Sequence, residues 1–394
     1  MGRGLRTIKL RPVLFWFHLS IGISAGTFLF VIALTGVLLA FRPQVTAFAE
    51  RAQLHVELPA DGSVRMSLDP LAAKILEESP EALVTGLTLS AEPGSTVAFN
   101  LGRDKVVYID PYRGTVLGTG APRTRAFFQT VESLHRWFGF QGVGREAAKQ
   151  VKGAVTLMFG LMILSGFYLW WPRQWSSSVF RSIAIPSRSL KGKQRDWNWH
   201  NAVGFWSAPW LLVIVLTGLV MAYPWANDLL YRLTGNEPPV RNLSTRPMEG
   251  SKPARTGEKA LGSRHRDPDH GKEHPVSLDK FLAAVDQQAP GWKSAILRLP
   301  QDGKPEATVL VEEGSSSRPF TRGMMTLDAS RGEVLKWEPY ASQNPGRKLR
   351  LWARFVHTGE AGGWPGQSLA ALAALGALFL IWTGLSLAWR RFLS

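Results

Sequence analysis

Four stretches of the chain contain no Asp, Glu, Lys or Arg: between Arg11 and Arg42, Lys152 and Arg173, Asp196 and Asp228, and Glu360 and Arg390. Each holds a run long enough for a bilayer core about 30 Å thick, which roughly 20 helical residues cross. The runs lack the alternation of apolar and polar positions that barrel strands show. Inside lipid, only helices and closed barrels satisfy every backbone group. The pattern therefore predicts an integral α-helical membrane protein with transmembrane helices at 13–41, 152–172, 197–224 and 364–389. Between the first and second spans, and again between the third and fourth, the period changes. Ser67-Leu68-Asp69 and Ser277-Leu278-Asp279 each open a segment with helical apolar spacing, with Ser or Asp available as the N-cap. Alternating segments follow and run into the turns Asp110-Pro111-Tyr112-Arg113-Gly114 and Asp328-Ala329-Ser330-Arg331-Gly332. Each external segment reads as a helix followed by a small antiparallel sheet.

The same signals occur twice. His18, Thr35 and Gly36 recur as His200, Thr217 and Gly218 at one offset of 182, so the first and third spans align without a gap. Ser165-Gly166-Phe167-Tyr168-Leu169-Trp170-Trp171 aligns with Thr383-Gly384-Leu385-Ser386-Leu387-Ala388-Trp389 in the second and fourth. The expected architecture is two tandem copies of a helix–α+β domain–helix unit. Each copy crosses the membrane an even number of times, so the copies share an orientation and a pseudo-twofold axis along the membrane normal.

A net charge of +16 invites a nucleic-acid reading, and its distribution excludes one. Segments 1–12, 173–196 and 390–394 together carry 12 basic residues and one acidic residue. That asymmetry places both termini and the 173–196 loop in the cytoplasm. The segments 42–151 and 225–360 are then external, the second including a linker at 241–274. A cleaved signal peptide is the alternative for the N-terminus; the length of the first apolar run and the recurrence of its features argue for a retained helix. The chain has no cysteine, which excludes disulfides, thiolate metal sites and Cys-x-x-Cys-His haem attachment.

The helix–domain–helix unit, the paired Leu-Thr-Gly motifs, the His135-Arg136-Trp137-Phe138-Gly139 segment and the external Asp-x-x-x-Gly turns resemble the PepSY-associated transmembrane family. Within it the chain is most similar to FoxB-type ferrisiderophore reductases of the bacterial inner membrane. The resemblance spans nearly the whole chain except residues 241–274. It implies PepSY-like external domains in the periplasm and a ferric siderophore as electron acceptor.

Histidine carries the candidate chemistry. Of eight histidines, four bracket the spans in equivalent pairs. His18 and His200 lie about one turn inside the cytoplasmic ends of the first and third spans. His135 and His357 precede the second and fourth, in the amphipathic segments Phe127–Phe138 and Leu349–Thr358. Ionisable residues at membrane depth are rare and functional by default. A pseudo-twofold axis makes equivalent imidazoles face each other, which is what axial ligation of one iron by two histidines requires. Two such pairs predict two non-covalent b-type haems. Gly22 and Gly204 stand four residues after His18 and His200, on the same helix faces, and clear space for a flat ligand; packing between helices is the alternative use of such small residues. The Gly142-Val143-Gly144-Arg145-Glu146-Ala147 string fits a dinucleotide fingerprint by letter but follows no strand and leads into a span. His265, His270 and His274 read as part of a solvated linker with a metal tract as the alternative, and His55 as a surface residue. The expected activity is one-electron transfer from a quinol or a cytoplasmic reductase to a ferric siderophore. Against it stand a haem-free, proton-coupled transporter and a sensor or protease regulator of PepSY type.

Overall fold

In the computed structural model, residues 10–392 are described apart from 61, 63, 103–104, 173, 240–276, 301–304 and 314–320. The described helices are α1 (Leu10–Leu39), α2 (Arg42–Ala49), α3 (Arg51–Leu54), α4 (Leu68–Glu78), α5 (Pro122–Trp137), α6 (Gly144–Trp170), α7 (Ser177–Ala184), α8 (Gly192–Ala222), α9 (Pro224–Leu233), α10 (Leu278–Gln288), α11 (Pro345–Thr358) and α12 (Gly363–Phe392). The described strands are β1 (Val84–Ser90), β2 (Val97–Leu101), β3 (Lys105–Ile109), β4 (Val116–Gly118), β5 (Ser294–Arg298), β6 (Glu306–Glu312), β7 (Arg322–Asp328) and β8 (Val334–Glu338).

Helices α1, α6, α8 and α12 are long and apolar enough to cross a membrane; they overlap the four predicted spans, with α1, α6 and α8 each ending two residues earlier than expected. They pack in the cyclic order α1, α6, α8, α12, each against two neighbours. Small residues line the contacts: Ala25, Gly160, Ala202, Ala373 and Ala377 are buried. A Cβ at Gly376 would lie 2.9 Å from that of Ser207, so α8 and α12 approach as closely as glycine allows. Phe28, Leu157, Trp206 and Leu372 point outward from the bundle. Outward apolar side chains on all four helices are what a lipid-facing surface requires. The bundle puts the start of α1, the end of α12 and the α6–α8 connection at one end and the strands at the other. That connection is more structured than a loop. It holds α7 and the first turn of α8, and Asn198 fastens them, accepting from Ser187 N at 2.7 Å and donating to Ser182 O at 2.7 Å.

The two segments that separate α1 from α6 and α8 from α12 share a single eight-stranded antiparallel sheet, in the order β4-β3-β2-β1-β5-β6-β7-β8. This differs from the expectation of two small sheets. The join is the β1–β5 pair, in which Leu87 faces Leu297, Gly86 faces Arg298 and Thr88 faces Ile296. Leu87 and Leu297 are separated by 210 positions, the same offset that relates Asp69 to Asp279. Helices α4 and α10 cover one face, and a single apolar core runs beneath both, including Leu71, Ile75, Phe99, Phe281, Val309 and Met325.

Neither Ser67 nor Ser277 caps its own helix through its side chain. The caps are exchanged instead. Asp279 accepts from Leu68 N at 2.6 Å and Asp69 N at 3.2 Å. Asp69 accepts from Leu278 N at 2.6 Å and the Ser277 hydroxyl at 2.7 Å. Each carboxylate thus lies where the first turn of the other helix offers unpaired N–H groups and positive dipole. His55 is exposed and its backbone bridges to Ser95. His265, His270 and His274 lie outside the described residues.

Candidate functional site

The bundle brings His18 of α1 and His200 of α8 together. Their ring centroids are 6.5 Å apart and their planes are nearly perpendicular, at 83°. At that separation the two imidazoles could hold a haem iron between them, which would supply a one-electron couple.

What each imidazole does with Nδ1 decides its chemistry. His18 Nδ1 is 3.0 Å from Ser165 Oγ and 3.1 Å from Met162 O on α6. His200 Nδ1 is 2.9 Å from Thr383 Oγ1 on α12 and also bonds the Leu380 backbone. His135 Nδ1 is 2.9 Å from Thr35 Oγ1 on α1, with the Ile32 backbone as second partner. His357 Nδ1 is 3.2 Å from Thr217 Oγ1 and 2.9 Å from Ile214 O on α8. In every case the carbonyl belongs to the residue three before the hydroxyl. Each hydroxyl has one proton, and each directs it to a carbonyl of its own helix: Ser165 to Met162, Thr35 to Val31, Thr217 to Val213 and Thr383 to Phe379. The hydroxyl oxygen therefore accepts from the ring, and Nδ1 is the donor. That fixes one tautomer in all four histidines and leaves the lone pair on Nε2, the form that binds metal. Among the described residues no hydrogen bond ends on any of the four Nε2 atoms.

A glycine follows each hydroxyl and makes room for the ring. A Cβ would stand 3.3 Å from His18 Cε1 at Gly166, 3.4 Å from His200 Cε1 at Gly384, 3.7 Å from His135 Cε1 at Gly36 and 3.2 Å from His357 Cε1 at Gly218. His135 and His357 lie near the C-terminal ends of α5 and α11 and are electrostatic neighbours of each other. Among the described residues no group of three or more His, Cys, Asp or Glu gathers at one point. A porphyrin asks for less, because it supplies four nitrogens and needs two axial donors from the protein. At His18 and His200 the donor set, the tautomer and the ring separation fit that requirement, and at His135 and His357 the donor set and the tautomer do.

Helix α5 is held to the sheet by a buried polar cluster. Arg125 bonds both oxygens of Glu50, to Oε2 at 2.8 Å. Tyr108 of β3 donates to Glu50 Oε2 at 2.8 Å, and Ala121 N donates to Oε1 at 3.2 Å. Burial pushes the Tyr108 phenol up to about 12, and its bond to Glu50 adds to that. For Glu50, burial pushes the carboxyl up, but the bonds from Arg125, Tyr108 and Ala121 outweigh it and hold the group below the usual carboxylate range. A second ion pair, Arg42 to Glu132 at 2.6 Å, joins the other end of α2 to α5. In the second half, Asn227 and Asn236 take that place, bonding Arg350 and Gly346 N.

Residues 15–391 match the PepSY-associated TM region. The chain belongs to that family. No curated relative matches the sequence. The matched residues of this PepSY-associated membrane protein span all four histidines and the sheet. Gly22 and Gly204 contact side chains of the adjoining helices, with Met162 Sδ and Leu380 Cδ2 at 3.8 and 3.6 Å from an added Cβ. The glycines against the imidazole edges are Gly36, Gly166, Gly218 and Gly384. Those four, with Thr35, Ser165, Thr217 and Thr383, were legible only as repeat markers. The missed signal is a Ser/Thr-Gly dipeptide occurring once on each long helix, one for each of the four histidines.

Proposed function

We propose that this protein is a di-haem b reductase that carries electrons across a bacterial inner membrane to a periplasmic ferric siderophore. The observation that carries the reading is the His18–His200 pair, 6.5 Å apart with each Nδ1 bound to a neighbouring helix. His135 and His357, whose Nδ1 atoms are held by Thr35 and by Thr217 and Ile214 O, would serve as the outer pair. The symmetric β1–β5 register and the exchanged Asp69 and Asp279 caps support descent from two tandem copies, whose axis would pass between the two histidines of each pair.

A haem bound at each pair would supply a one-electron Fe(III)/Fe(II) couple, whose potential axial ligands and burial set. The chain's own residues do the rest. Ser165, Thr383, Thr35 and Thr217 hold the imidazoles in the ligating tautomer. The apolar helices exclude water around them. The polar cluster on Glu50 fixes α5, and so His135, relative to the external sheet. Electrons enter on the side of the chain termini, from a quinol or a cytoplasmic reductase, and leave on the sheet side. Hard oxygen donors hold Fe(III) more tightly than Fe(II), so reduction at the outer face loosens the chelate and frees iron. The charge asymmetry of the short connections supports this orientation.

Reconstitution into vesicles loaded with a reductant tests the whole reading. External ferric siderophore should be reduced only when the protein is present, and His18→Ala or His357→Ala should each abolish the transfer. A rate equal to that of empty vesicles would sink the proposal.

A further inference from the structure

Among the described residues, Lys152 is a cation with no carboxylate paired to it. It lies on α6 one turn before Thr156, on the same helix face. Thr156 packs at the outer pair: a Cβ at Gly218 would lie 3.7 Å from Thr156 Cγ2 and 3.2 Å from His357 Cε1. The Lys152 ammonium is an electrostatic neighbour of both His135 and His357. The side chain is half-buried, and among the described residues no carboxylate pairs with it. The acids nearby in the chain are committed elsewhere, Glu146 to Lys149 and Glu132 to Arg42 and Arg136. Arg136 adds a second positive charge to the same surroundings. Lysines near the ends of spans ordinarily reach for water with the stem against lipid. This one shares its face with the outer histidines instead, where an uncompensated charge is costly and an anion would offset that cost.

We infer that Lys152 anchors a carboxylate bound at the outer histidine pair. The inference rests on the haem reading of that pair. The carboxylate has two available sources: a propionate of the porphyrin, or an acidic group of the ferric chelate that receives the electron. In either position the ammonium also disfavours Fe(III) relative to Fe(II) at the outer iron, which raises its potential.

The test uses full-length holoprotein and the variants Lys152→Met and Lys152→Arg. The inner haem, on His18 and His200, reports in every sample that the bundle is folded. Three quantities are read: the outer midpoint potential, the rate of outer haem loss to a scavenging apoprotein, and affinity for a ferric tricarboxylate against a ferric trihydroxamate without carboxylates. A propionate anchor predicts a lower outer potential and about tenfold faster outer haem loss in Lys152→Met. Lys152→Arg should restore most of both, and chelate affinities should stay at wild-type values. An acceptor anchor predicts about tenfold weaker binding of the tricarboxylate alone, with haem retention unchanged. Wild-type values for all three in Lys152→Met, with two haems present, overturn this inference and leave the haem reading standing. A wild-type protein that contains no haem overturns both.

Discussion

At His200 the choice between two ring nitrogens is made by Thr383. Its proton goes to Phe379 O, so its oxygen takes the proton of Nδ1 and frees Nε2. Valine at position 383 keeps the shape and removes the acceptor, leaving Leu380 O as the remaining partner. Thr383→Val should weaken retention of the inner haem by about 10- to 100-fold in a haem-transfer titration. Thr383→Ser should stay close to wild type, and the outer haem should not change. Equal retention in Thr383→Val would show that the hydroxyl does not orient the ring. Glu50 and Tyr108 make a prediction in pH. The Glu50 carboxyl is depressed in the folded protein, so its contribution is complete above the ordinary value of 4.5 and fades as pH falls below it. The Tyr108 phenol is raised, so its contribution is complete below 10 and fades as pH rises through about 12. Melting curves across that range should show both limbs. Glu50→Gln should flatten the acid limb and cost about 3 kcal/mol or more at neutral pH, because Arg125 is left without its partner.

At the scale of elements, the exchanged caps make α4 and α10 dependent on each other. Asp69→Ala should cost about 1 kcal/mol, and chemical denaturation should still unfold the sheet in one transition. Separate transitions for the two halves would contradict a shared core. The spans, the two α+β segments and the four histidines were all legible in the sequence, because apolar run length, period and a repeated offset are local properties. The join between β1 and β5 was not. An edge strand and a central strand carry the same alternation, and nothing local says which 210-residue-distant partner a strand will take. Gly86 was the available clue: a Cβ there would meet the Leu297 carbonyl oxygen at 2.3 Å, so that close approach tolerates only glycine. Gly86→Val should therefore open the join, read as loss of the single transition. The hydroxyls on Nδ1 stayed hidden for a related reason. Ser165 and Thr383 sit 147 and 183 positions from the rings they serve, and sequence spacing does not reveal which helices become neighbours in a bundle.

The whole molecule sets two pairs of imidazoles on a four-helix bundle, one near the chain-terminal side and one near the sheet. Four independent Ser/Thr-Gly dipeptides impose one tautomer on them. Two metal centres would require that repetition at every ligand. Counting haem per chain in the purified protein, alongside His18→Ala, His200→Ala, His135→Ala and His357→Ala, tests this most directly. The expected result is two haems in the wild type and one in each variant, with the inner spectrum lost in the first two variants and the outer in the last two. A colourless wild type, or four variants that each keep both haems, would contradict it.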